Sequence, residues 1–162
     1  MASADREGSN WRGKMSRPSP AQVGTLKVRL LDLESGMGVT DPWGQFDNDP
    51  DLGEILETGR CFHTDGLRFL WGNDGACHWN VSRLFREGSV SAIVIGYAYH
   101  PWRQGWFQHT WAQADGRVVE TTRDNEDCTV YFGIALEGED AEAFAAWTEM
   151  HPPGNGVVRM MR

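Results

Sequence analysis

The chain has 162 residues, of which 40% are hydrophobic and 23% charged, and a formal net charge of −8. That length and balance fit one domain with a modest core rather than a disordered chain. The net negative charge argues against general nucleic-acid binding, which needs a basic surface to displace counterions, and no apolar run is long enough to span a bilayer.

Residues 1–22 are slightly basic and lack an apolar stretch after the positive charges, so they are expected to form a flexible tail rather than a secretory signal, with Met15 as a second possible start. A single domain is expected over residues 23–162. Residues 25–33 (TLKVRLLDL) alternate enough to predict a strand. Residues 35–49, rich in Gly, Asp and Pro, predict a loop. Acid is concentrated here: Asp32, Glu34, Asp41, Asp47, Asp49, Asp51, Glu54 and Glu57 stand between residues 32 and 59 without a Lys or Arg. Asp47-x-Asp49-x-Asp51 begins like a calcium loop, but it lacks the sixth-position Gly, has Thr58 in place of the bidentate Glu and is interrupted by Pro50. A solvated acidic loop capping the next helix is expected instead. Asp51 and Glu54 have capping-box spacing, predicting a short helix over 52–56 that ends at Gly59.

A longer helix is predicted over 73–88, capped by Asn73 or Asp74 and stopped by Gly88. Its apolar positions, Cys77, Val81, Leu84 and Phe85, fall on one face. Strands are predicted over 90–99, 106–114, 117–122 and 128–136, with a turn over 100–105 and a closing helix over 141–150. Asp115-Gly116 is a strong two-residue hairpin signal. The order of helix, antiparallel meander and helix predicts an α+β fold.

The hairpin permits a geometric test. With Asp115 and Gly116 as its loop, Ala114 faces Arg117 and Trp111 faces Glu120. His109 shares the face of Trp111, so His109 and Glu120 become diagonal neighbours on one side of the sheet. A carboxylate there can fix the imidazole tautomer and stabilise the imidazolium. Cys77, in the first turn of its helix, needs such a partner, because a free thiol titrates near ~8.5 and is mostly protonated at neutral pH. The helix start also offers unpaired backbone N–H groups to an oxyanion. Gln108, Asn80 and Asn73 are candidates to complete that hole, and Trp106 and Trp111, with Trp79 and Trp102, are candidates for an aromatic wall around a substrate.

The stretches Gly75-Ala-Cys77-His-Trp-Asn80, Gly96-Tyr97-Ala98, Trp106-Phe-Gln-His109-Thr-Trp111, Asp115-Gly-Arg-Val-Val-Glu120-Thr-Thr122 and Tyr131-Phe-Gly133 resemble a group of small bacterial and phage proteins. These in turn resemble the papain-like and transglutaminase-like superfamily, in which a Cys on a helix, a His on a strand and an acid on the next strand follow in that order. The resemblance spans residues 75–133. It implies peptidase, amidase, deamidase or acyl-transfer chemistry, with Cys77 as nucleophile, His109 as base and Glu120 as the orienting acid. The acid here is Glu where Asp is commoner, and no Gln motif precedes Cys77.

The cysteines number three, Cys61, Cys77 and Cys128. An odd count without an export signal predicts reduced thiols in the cytoplasm. Cys61-x-His63 and Cys77-His78 have soft ligands but no zinc-signature spacing, so no metal and no other cofactor is expected. Asn80-Val-Ser82 matches a glycosylation acceptor but falls within the predicted helix. The expected function is a cysteine hydrolase or acyl transferase acting on a peptide, protein or small amide. The alternative is a non-catalytic binding or phage- or defence-related interaction protein, whose acidic segment is the partner surface.

Overall fold

The computed structural model describes residues 17–33 and 46–153. Residues 1–16 of the predicted tail (1–22) and residues 35–45 of the predicted loop (35–49) lie outside these residues, while residues 20–22 of that tail belong to the first helix.

The first helix, α1 (Pro20–Leu33), stands where a strand was predicted. Its inward residues are Val23, Leu26 and Leu30, a helical spacing, while Val28 and Leu31 are exposed. The apparent alternation over 25–33 was misleading because the helical period starts two residues earlier. A start signal was also present: the Gln22 N–H donates to Ser19 Oγ at 3.2 Å and the Ser19 N–H donates to Gln22 Oε1 at 2.9 Å, a reciprocal capping box.

Phe46–Asn48 form one 3₁₀ turn, which leads into α2 (Leu52–Thr58). The helix is where the sequence placed it, but the capping box is not formed: Asp51 makes no side-chain cap hydrogen bond, and its N–H donates to Asp49 Oδ1 at 2.9 Å. Short strands β1 (Arg60–Phe62) and β2 (Arg68–Phe69) follow. Next is α3 (Cys77–Arg86), shorter than predicted, with Ala76 rather than Asn73 or Asp74 at its N-cap. Its end is as predicted, with the Ser89 N–H bonded to Leu84 O and the Gly88 N–H to Phe85 O.

The remaining elements are β3 (Ala92–His100), β4 (Gly105–Ala114), β5 (Arg117–Glu120), β6 (Val130–Leu136) and α4 (Gly138–Met150). The hairpin turn between β4 and β5 is of type I′, with φ of 52° at Asp115 and 72° at Gly116.

The architecture is α+β, with a mixed six-stranded sheet in the order β1-β6-β3-β4-β5-β2. A simple meander was expected, and only β3, β4 and β5 form one. β6 returns to pair with β3, and the place beside β5 is taken by β2, which runs parallel to it. Burial accounts for this. Tyr131, Phe132, Gly133 and Ile134 are buried in succession, so β6 needs cover on both faces and a neighbour on each side.

Apolar side chains pack on both faces of the sheet. The larger core joins the sheet to all four helices through Leu26, Leu52, Val81, Tyr97, Trp106 and Phe144, among others. The smaller, on the opposite face, contains Phe62, Val94, Ala98, Trp111, Val118, Cys128 and Tyr131. Among the described residues, no helix is long and apolar enough to cross a membrane.

Candidate active site

The β4–β5 register aligns Ala114 with Arg117, Gln113 with Val118 and Ala112 with Val119. One step further sets Trp111 opposite Glu120 and His109 diagonal to it, as the hairpin signal predicted. His109 Nε2 lies 3.0 Å from Glu120 Oε1 and 2.9 Å from Oε2, with both residues buried.

A fully buried carboxylate is costly unless its oxygens are satisfied. Here Oε1 also accepts the N–H of Thr121 at 2.8 Å, the N–H of Thr122 at 3.0 Å and the Thr122 hydroxyl at 3.1 Å. Oε2 accepts the Tyr131 hydroxyl at 2.9 Å. Burial alone would raise the Glu120 carboxyl. The charge of His109, its hydrogen bond and the two backbone donors outweigh that and hold it below its usual value. Burial likewise opposes a charged His109, but the Glu120 charge and the bonds to Cys77 and Glu120 prevail, and the imidazole is pushed up to about 10.

Trp111, completely buried, stacks against His109 with ring centroids 6.0 Å apart and meets Tyr131 edge-on at 5.0 Å. These rings restrict the tilt of the imidazole. Asn125 Nδ2 lies 3.4 and 3.5 Å from the two ring nitrogens, while its short bond goes to Thr122 Oγ1 at 2.7 Å.

Cys77 is the first residue of α3 and is partly exposed. Helix geometry leaves the N–H groups of Cys77, His78 and Trp79 without an acceptor inside the helix. The directed contact of the sulfur is with His78 Nδ1, 3.3 Å away. The His109 ring is close enough that a hydrogen bond and its charge act on the thiol as well. Because Glu120 occupies Nε2, the His109 nitrogen left for the sulfur is Nδ1. Burial disfavours the thiolate and is the largest single influence. The two imidazoles together exceed it and hold the Cys77 thiol well below its ordinary value.

The loop before Cys77 is fixed by Asn80. Its Oδ1 accepts the Asn73 N–H at 2.9 Å, and its Nδ2 donates to Asn73 O at 2.8 Å and to Thr121 O at 3.3 Å. Gly72 makes room for this amide, since a Cβ there would lie 2.3 Å from Asn80 Cγ. Asn80 thus ties the nucleophile's helix to the strand end that carries Glu120.

No family model, curated protein or solved structure matches the chain. The site is therefore read from its geometry.

Cys77, His109 and Glu120, predicted as a set, are brought together. The other predicted site residues are placed differently from one another. Asn80 is a clamp, and Asn73 is exposed with its backbone held by that clamp. Gln108 hydrogen-bonds Asp49 on the helix side of the sheet. Trp106 is buried in the larger core beside Tyr99. Trp111 supports His109 from within the smaller core. Trp79 is partly buried, and Trp102 is 81% exposed in the turn Pro101–Arg103. Sequence reasoning missed His78 as a partner of the sulfur and missed Tyr131, Thr121 and Thr122 as donors to Glu120. Among the described residues, no group of three or more His, Cys, Asp or Glu side chains is arranged to hold a metal ion.

Proposed function

We propose that this protein is a cysteine hydrolase or acyl transferase, with a papain-like or transglutaminase-like core and a Cys77-His109-Glu120 triad. The observation that carries the reading is the arrangement at the sulfur. A partly exposed thiol on the first turn of α3, held well below its ordinary value, stands beside an imidazole whose Nε2 is bonded by both oxygens of a buried Glu.

The Cys77 thiolate attacks the carbonyl carbon of an amide. A C–S bond forms, and the carbonyl π electrons move to oxygen, where the free N–H groups at the start of α3 receive the negative charge. The oxyanion then collapses, the C–N bond breaks, and the His109 imidazolium gives its proton to the departing nitrogen. This leaves a thioester and a neutral imidazole. Water or an amine gives a proton to His109 and attacks the thioester carbon, and the C–S bond breaks to restore the thiolate. Glu120 keeps the ring oriented and its cationic form favoured throughout.

The test is incubation with a panel of peptidyl acyloxymethyl ketones at pH 6.5, followed by intact-mass spectrometry. The expected result is a single adduct on Cys77 that is absent from Cys77→Ala and slowed in His109→Ala. Labelling no faster than that of a small-molecule thiol would contradict the reading.

A further inference from the structure

The turn after β5 carries a residue that the triad does not use. Arg123–Asn125 form one 3₁₀ turn, and the Arg123 N–H donates to Asp74 Oδ1 at 3.3 Å, which ties the turn to the loop before Cys77. The Asn125 N–H donates to Thr122 O and the Cys128 N–H to Asn125 O, each at 3.1 Å. The half-buried Asn125 side chain is thereby set beside His109, with its Nδ2 3.4 Å from Nδ1 and 3.5 Å from Nε2 of the ring.

Counting protons fixes which way this amide points. Thr122 has one hydroxyl proton, and it goes to Glu120 Oε1 at 3.1 Å, an ionised acceptor. Thr122 Oγ1 can therefore only accept from Asn125, so the amide atom 2.7 Å away is the nitrogen. Asn125 Oδ1 turns instead to the Cys128 thiol, 3.9 Å away, which burial and the Glu120 charge keep protonated and able to donate. One amide N–H is thus spent on Thr122. The other has, among the described residues, only the His109 ring beside it. While that ring is an imidazolium, both its nitrogens carry protons and neither accepts. Once His109 has protonated the departing nitrogen, Glu120 still holds the Nε2–H, and Nδ1 becomes a bare acceptor 3.4 Å from an unspent donor.

We propose that Asn125 is a further catalytic residue: with the neutral His109 it binds the water that resolves the acyl-enzyme, and so directs the site to hydrolysis rather than to transfer onto an amine. The inference rests on the reading of Cys77 as nucleophile. The water oxygen accepts the free N–H of Asn125, and one water proton goes to His109 Nδ1. The remaining lone pair forms the C–O bond to the thioester carbon. The carbonyl π electrons move to oxygen and return as the C–S bond breaks. The products are a carboxylic acid, the Cys77 thiolate and the His109 imidazolium, and Asn125 keeps both its protons. The preference for water follows from lone pairs. A water oxygen has two, one to accept from Asn125 and one to attack. A neutral amine nitrogen has a single lone pair and cannot use it for both.

The test uses the full chain with p-nitrophenyl acetate as acyl donor at neutral pH and glycinamide as the competing amine, against a Cys77→Ala background. The burst of p-nitrophenolate reads acylation, and mass spectrometry locates the acetyl group on Cys77. The ratio of acetate to N-acetylglycinamide reads the choice of nucleophile. Asn125→Leu is expected to slow release of acetate by roughly tenfold, the effect of one hydrogen bond lost in the transition state, and to lower the ratio by about the same factor. Transfer to glycinamide should change little. Asn125→Ala supplies a second reading if Asn125→Leu does not fold. A residue that merely held the ring in place would slow both routes together. An unchanged ratio in either variant therefore overturns the proposal. Failure of the unsubstituted protein to acquire an acetyl group on Cys77 overturns the nucleophile reading itself, whereas acetylation with an unchanged ratio removes this inference alone.

Discussion

Two of the thiols lie within the influence of the same carboxylate and are driven in opposite directions. Cys77, at the solvent-facing start of α3, is held well below its ordinary value, while Cys128, buried just before β6, is pushed well above it. Burial opposes ionisation at both. At Cys128 the Glu120 charge adds to that penalty directly, with Asp127 in the same direction, and Arg103 offsets only part of it. At Cys77 the same Glu120 acts through His109, and an imidazolium stands between the two negative charges. A carboxylate therefore suppresses or activates a thiol according to whether a cation is interposed. Cys61, partly buried away from both, is raised by burial, with only Arg29 opposing.

Removing the interposed cation should have the largest effect. His109→Ala is expected to slow alkylation of Cys77 at pH 6.5 by on the order of a hundredfold, because the imidazole whose charge Glu120 sustains is gone. Stopped-flow labelling of a protein with Cys77 as its sole cysteine checks this.

Glu120→Gln should sharpen the contrast by moving the two thiols toward each other. The Cys77 thiol rises as His109 loses its counter-charge, and the Cys128 thiol falls as its repelling neighbour goes. Thiolate absorbance at 240 nm in single-cysteine variants reads both movements. The same variant leaves a buried imidazole without its anion and should cost about 3 kcal/mol in urea unfolding.

The pair also sets a pH window for stability. Glu120 is depressed in the folded state, so its contribution is present above the ordinary carboxylate value and is lost as pH falls through the depressed one. His109 is raised to about 10, so its contribution is complete below pH ~6.5 and is lost as pH rises through about 10. Melting temperature should therefore be highest between the ordinary carboxylate value and pH ~6.5 and decline on either side of that window, and Glu120→Gln should flatten both limbs.

Tyr131→Phe, which deletes one donor to Glu120, should cost about 1 kcal/mol and slow labelling of Cys77 only a few-fold. Cys61→Ser should have the smallest effect, leaving the labelling of Cys77 unchanged at pH 7.

What was legible in the sequence was local. Asp115-Gly116 fixes a hairpin register, and the register alone puts His109 and Glu120 together. Cys77 was legible as the start of an amphipathic helix. What was missed depends on contacts distant in the chain or on side-chain direction. Whether His78 turns back to the sulfur depends on its rotamer and on Phe144, more than sixty residues later. Asp49, expected to be solvated, is buried because residues 46–51 fold over Tyr97, and β6 crosses to β3 because both its faces need cover. The misreading of α1 is of another kind. The Ser19–Gln22 capping box stands in the sequence, and the helical spacing of Val23, Leu26 and Leu30 begins two residues before the alternation after Thr25.

The most direct test of the central claim is the pH dependence of Cys77 alkylation in the Cys61→Ser, Cys128→Ser protein, beside its His109→Ala counterpart. The account predicts a rate already at its plateau well below pH ~8.5 in the first and a midpoint moved toward that value in the second. Superimposable profiles, both with midpoints near ~8.5, would mean that Cys77 is an ordinary thiol and that His109 and Glu120 only stabilise the fold.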